Sequence, residues 1–174
     1  KNAGGTLMNG VLERAKAWPE GSRPGLLGRL DKHTSGIVLV AKRPAIHAAL
    51  QRAMDARRID KEYLAIVWGQ PKPARGTIDL ALDRDPWDRR RITVTDRGGQ
   101  PSVTQYERMA GSQSFSLVRC RLITGRTHQI RVHLSASGWP IVGDAAYGRT
   151  RRAGMPMPLD AVPAAFARQA LHDW

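Results

Sequence analysis

Apolar residues recur at helical spacing from Thr6 to Lys16, where Leu7, Val11, Leu12 and Ala15 share one face, so a helix is predicted there. Pro19 and the glycines at 21 and 25 break the pattern. Ile37 to Ala41 (IVLVA) is a continuous apolar run of strand length and predicts a strand covered on both faces. Pro44 suits the first position of a second helix, whose stripe is Ile46, Leu50, Ala53 and Met54, with Arg52, Arg57 and Arg58 facing elsewhere. Tyr63 to Trp68 (YLAIVW) reads as another interior strand, and Gly69 to Arg75 as a Pro-rich turn. Short strands are then predicted over 77–82, 91–95 and 102–106, with Gly98 and Gly99 marking a hairpin loop at 96–100. Ser116 to Ile123 alternates, with Val118, Cys120 and Leu122 on one face and Arg119 and Arg121 on the other. Thr127 suits the N-cap of a helix running to Ser137, stopped by Gly138 and Pro140. The basic, Pro-rich stretch 150–163 reads as loop. Helices scattered among hairpin-linked strands predict an α+β fold with a mixed, largely antiparallel sheet.

The 174 residues suit a single domain with its own core. No apolar run is long enough to predict a transmembrane helix, and no secretory signal pattern opens the chain. Cys120 is the only cysteine, which excludes an internal disulfide and a cysteine-rich zinc site and fits a reducing cytoplasm. The charge changes the picture most. Lys and Arg number 28 against 15 Asp and Glu, a net +13. Such an excess, without a basic amphipathic helix, points to nucleic acid rather than to an anionic membrane.

Two polar clusters interrupt structural sequence. Residues 28–36 (GRLDKHTSG) crowd charge at the mouth of the IVLVA strand, a place where a rigid scaffold can hold a site. The plain alternative is a solvated loop in which Asp31 pairs with Arg29 or Lys32. Residues 125–133 (GRTHQIRVH) set Arg126, His128, Gln129, Arg131 and His133 near a helix start, an arrangement that favours an anion such as phosphate. The alternative is an ordinary amphipathic helix with Ile130 and Leu134 inward. Other chemistry is less well supported. Asp83, Asp85 and Asp88 cluster without a calcium-loop pattern, His128 and His133 miss the spacing of a zinc helix, and no phosphate-binding glycine loop is present.

In this order the segments resemble the RluA-type pseudouridine synthase family. GRLDKHTSGIVLVAK at 28–42, KEYLAIVWG at 61–69, LITGRTHQIRVHL at 122–134, GDAAYG at 143–148 and RQALH at 168–172 each match a family signature, and together they span nearly the whole chain. The resemblance implies a pseudouridine synthase fold and isomerisation of uridine in ribosomal large-subunit RNA or transfer RNA. It implies Asp31 as the catalytic aspartate, Tyr63 as the catalytic tyrosine that stacks on the target base and is a proposed proton acceptor, and Arg131 as the basic partner of the aspartate. Arg29 resembles an arginine that enters the RNA where the uridine has left. Lys32, Arg126, His128 and Gln129 are expected to contact RNA. Gly28 stands where the family commonly has histidine, and His33 where an acidic residue is common. The resemblance further implies one catalytic domain over 1–174, truncated at both ends, and a monomer is the default expectation.

Isomerisation breaks the glycosidic bond, turns the base and rejoins it through carbon, so no redox cofactor and no metal are expected. Two other functions compete: a non-catalytic RNA-binding or ribosome-assembly module on the same fold, and a metal-dependent phosphodiesterase using Asp83, Asp85 and Asp88.

Overall fold

The computed structural model describes residues 4–20 and 22–148. The segment 168–172 and the loop predicted over 150–163 lie outside the described residues. The chain divides into two compact units, residues 1–59 and 60–174.

The first unit holds α1 (Leu7–Ala15), β1 (Gly25–Leu27), β2 (Leu39–Ala41) and α2 (Pro44–Asp55). α1 starts where its capping box allows: the Thr6 hydroxyl accepts from the Asn9 amide, and the Asn9 side chain accepts from the Thr6 amide. α2 begins on Pro44, whose missing N–H would have no helical acceptor in any case. β1 and β2 form an antiparallel ribbon with Leu26 opposite Val40, and α2 packs on it. His47 of α2 lies against Leu26 O at 3.3 Å, and a side chain at Gly25 would collide with the imidazole.

The predicted strand 37–41 is shorter and less covered than its sequence implied. Only Leu39–Ala41 pairs, Ala41 is buried, and Ile37 is 89% exposed. Among the described residues of this unit only α2 packs on the three-residue ribbon, so an unbroken apolar run here did not mean a fully buried strand.

The second unit is built on a four-stranded antiparallel sheet in the order β3-β8-β7-β4, where β3 is Glu62–Trp68, β4 Arg75–Asp79, β7 Val103–Gly111 and β8 Phe115–Leu122. β3, expected in the interior, is an edge strand of this sheet. Its faces alternate, with Ala65 and Val67 buried and Leu64 exposed. The chain at 140–142 partly covers that edge, through Trp68 N–H to Pro140 O and Val142 N–H to Ile66 O. β8 follows its predicted alternation: Val118 and Cys120 are fully buried, while Arg119 and Arg121 reach Glu107 and Asp60 on the other face. Burial pushes the Cys120 thiol up to about 12, which makes it an inert core residue rather than a nucleophile.

The expected hairpin between 91–95 and 102–106 does not form. β6 (Ile92–Val94) instead pairs with β5 (Leu82–Arg84) in a separate two-stranded ribbon. The run 77–82 is split between β4 and β5, and the chain at 96–100 returns to Leu82, whose amide and carbonyl exchange a pair of backbone hydrogen bonds with Gln100. Glycines signalled a turn correctly, but the pairing partner of a strand is a tertiary choice that local sequence does not encode.

α3 (Gln129–Ala136) lies against β6 and β7 and inserts Leu134 into the sheet core and Val132 into a second cluster with Leu82 and Tyr147. His133, on the same helix, is fully buried. Its Nε2 lies 3.0 Å from the Leu80 carbonyl and therefore donates, and its Nδ1, 2.9 Å from the Thr104 hydroxyl, accepts. Burial, only partly opposed by the Leu80 carbonyl, pulls its pKa below the ordinary value. The unfolded chain therefore takes up a proton near pH 6.5, the ordinary His value, while the folded one resists, so stability is lost as pH falls below about 6.5. Urea unfolding from about pH 7 down to about pH 5 is expected to show this slope in the parent protein and a shallower one in His133→Gln. Equal slopes would assign the acid lability to another group.

Candidate active site

Asp31 stands in the loop that joins β1 to β2 in the first unit. Leu27, the last residue of β1, is buried and anchors the loop's start. Gly28 takes φ +73°, a left-handed conformation that glycine adopts at little cost. The Asp31 carbonyl accepts from the Thr34 amide at 3.0 Å, closing a tight turn. Asp31 is half-buried, while its neighbours Arg29, Lys32 and His33 are exposed. One loop thus carries a partly sheltered carboxylate flanked by exposed cations.

The second unit brings the 122–134 and 143–148 segments together around Arg131. Its guanidinium donates twice to Asp144, Nε to Oδ2 at 2.7 Å and Nη2 to Oδ1 at 3.0 Å. The side chains of Arg131 and Asp144 are 22% and 5% exposed, so this bidentate pair is largely shielded from water. Asp144 Oδ1 also accepts the amides of Ala146 and Tyr147, which fixes the following turn. Burial would raise the Asp144 pKa, but the Arg131 hydrogen bonds and the two amides outweigh it and hold the carboxyl below its usual range. The Tyr147 ring lies beneath the Arg131 guanidinium, 4.8 Å from its centroid, and Arg91 approaches it at 5.3 Å.

The Tyr147 hydroxyl accepts from the Ile92 amide at 2.9 Å and is 2.8 Å from His128 Nδ1. Burial raises its pKa, so it keeps the proton that it can donate to the imidazole. His128, not Thr127, is the N-cap of α3, and it holds φ 55°, a left-handed conformation uncommon for a residue with a side chain. The ring contact with Tyr147 and this hydrogen bond hold it there.

Gln129, expected to contact RNA, faces the interior instead. It is 2% exposed, its amide donates to Val103 O and Thr104 Oγ1, and its carbonyl accepts from Thr124 Oγ1 and the Arg126 amide. With its whole amide engaged it shapes the 124–129 loop and has no surface to offer a ligand. Arg126 is exposed on that loop, its Nε directed to Pro101 O at 3.4 Å. Tyr63 lies on β3 opposite Cys120, half-buried and packed against the sheet core. Sequence reading missed Asp144 and Tyr147 as site residues, although both stand in the GDAAYG segment it singled out.

The aspartates of 83–88 serve the loop they stand in. Asp85 accepts the amides of Trp87 and Asp88, Asp83 that of Arg84, and Asp88 pairs with Arg90. Among the described residues no group of three His, Cys, Asp or Glu is placed to hold a metal ion, and no helix is long and apolar enough to cross a membrane.

Residues 9–136 match the family described as RNA pseudouridylate synthase. A ribosomal large subunit pseudouridine synthase D from Xylella fastidiosa is 40% identical over 173 residues, covering 98% of this chain and 52% of that protein. An uncharacterized RNA pseudouridine synthase from Chloroflexus aurantiacus is 44% identical over 84% of this chain and 46% of its own length. Among solved structures, human RNA pseudouridylate synthase domain containing 1 is similar with a TM-score of 0.71 and 32% identity, over 83% of this chain and 61% of that one. The chain spans about half the length of the curated relatives it matches.

Proposed function

The chain belongs to the RNA pseudouridylate synthase family, and from that premise we propose that it isomerises specific uridines in structured RNA to pseudouridine. The observation that carries the reading is that the matched region, residues 9–136, includes Asp31, Tyr63 and Arg131, each within a segment resembling a family signature. That region runs through residues of both compact units.

In the proposed reaction the bond between N1 and the sugar breaks, the base turns, and C5 bonds to the sugar in its place. The C5 proton is lost and N1 gains one, with no net oxidation. Asp31 acts as the carboxylate at the sugar or base, a role that suits a centre carrying developing positive charge. Arg131 is the basic residue proposed to assist that step, and Tyr63 stacks on the target base. Extruding a uridine from folded RNA costs a few kcal/mol. Arg29, a planar cation on the Asp31 loop, fills the vacated place in the stack. Lys32, Arg126 and His128 are the further RNA contacts proposed. The net +13 supplies the electrostatic attraction for a polyanion and makes binding weaken with salt. The names of the large-subunit relatives favour ribosomal RNA as the substrate over transfer RNA.

Unmodified ribosomal transcript labelled with tritium at uridine C5 is expected to release label into water on incubation with this protein, with or without chelator. RNA binding without release would favour the non-catalytic module, and release abolished by chelator would favour a metal-dependent enzyme.

A further inference from the structure

The loop 85–91 between β5 and β6 presents Trp87 to solvent at 95% exposure. An indole left in water forgoes the burial that normally makes tryptophan valuable, which marks it as a contact surface. The loop that carries it is tightly braced. Asp85 Oδ1 accepts the Trp87 amide at 2.8 Å and the Asp88 amide at 3.1 Å. The Asp85 amide reaches Arg91 O, and the Arg91 amide reaches Asp88 O. The Arg84 guanidinium donates to Arg89 O, and Arg90 grips Asp88 through two hydrogen bonds. A ring held on such a frame loses little conformational freedom on binding.

Within the loop itself cations outnumber anions, while Asp83 and Asp96 stand beside it. Residues 84–91 contain four arginines (84, 89, 90 and 91) and two aspartates (85 and 88), a net of +2. Both aspartates are occupied, Asp85 by backbone amides and Asp88 by Arg90. Beside the indole an open cleft is lined by Asp83, Thr93 and Asp96. These carboxylates and hydroxyls suit the polar edges of a nucleobase.

We propose that this loop is a second RNA contact, in which Trp87 stacks on an unpaired nucleobase while Arg84 and Arg89 meet the flanking phosphates. It rests on the reading that the partner is RNA, and it adds a contact outside the residues assigned to the uridine site. An aromatic ring tolerates any base on its face, so the contact selects single-stranded over paired RNA rather than a sequence.

The test is equilibrium binding of a fluorescent single-stranded RNA of mixed sequence, and of its duplex, to the full chain and to Trp87→Ala and Trp87→Phe. The Ala variant is expected to bind the single strand on the order of tenfold more weakly. The Phe variant is expected to recover most of the loss, duplex affinity to change little, and melting temperature to stay constant because the ring packs on nothing among the described residues. Unchanged single-strand affinity in Trp87→Ala overturns the proposal, as does an equal loss on duplex. Loss of binding to phosphatidylglycerol vesicles, with RNA affinity intact, overturns it in favour of a membrane contact. A parent protein that binds no RNA at all overturns instead the reading on which the proposal rests.

Discussion

Replacing Asp31 by Ala is expected to lower uridine isomerisation by a factor on the order of 10⁴ or more, while RNA affinity stays within about twofold of the parent. The two readouts separate because the proposed roles separate. Binding draws on many cations across the surface, whereas the chemical step draws on one carboxylate. Asp31 closes its turn through its backbone carbonyl, so truncation of the side chain leaves that hydrogen bond in place. Asp31→Asn keeps the shape and removes the charge, and it is expected to be nearly as inactive. Tritium release and filter binding on the same unmodified transcript measure both effects. Full turnover by the Ala variant would remove Asp31 from the reaction.

The second large effect belongs to Asp144. Asp144 holds Arg131 through a bidentate pair in a setting with little water, and deleting one partner of such a pair costs roughly 3 kcal/mol. Asp144→Ala also removes the acceptor of the Ala146 and Tyr147 amides. It is therefore expected to lose both thermal stability and turnover. Asp144→Asn keeps an oxygen for the two amides but sets an amino group against the guanidinium. Part of the stability should return while turnover remains low. Turnover restored along with stability would mean that Asp144 supports the turn and does not position Arg131. The pH dependence follows from the same geometry. Because the folded carboxyl is held below its usual range, its contribution is complete above about pH 4, the unfolded value, and disappears as pH falls through the folded value. The Asp144→Ala protein should lack that acid-side component.

Much of the architecture was legible in the sequence because it depends on local periodicity. Thr6 and Pro44 mark helix starts through hydrogen bonds and backbone angles within a few residues, and both stand where the helices begin. The alternation of Val118, Cys120 and Leu122 with Arg119 and Arg121 chose the buried face of β8 before its neighbours were known. The ordered segments around Asp31, Tyr63 and Arg131 were equally visible, since a resemblance in sequence needs no coordinates.

What only the tertiary structure decided concerns partners. Local pattern says that a residue is polar, or that a strand is present, but not what stands across from it. β6 pairs with β5 rather than with the strand after its glycine loop, because the chain returns to Leu82 at Gln100. Gln129, polar and placed among arginines, turns inward because Thr104, Thr124 and the Val103 carbonyl offer its amide a complete set of hydrogen bonds there. Asp144 becomes the anchor of Arg131 through a contact thirteen residues long in sequence and 2.7 Å in space. Periodicity along one element determines which side chains share a face. The fold alone determines which faces meet, because that choice belongs to packing between segments distant in the chain.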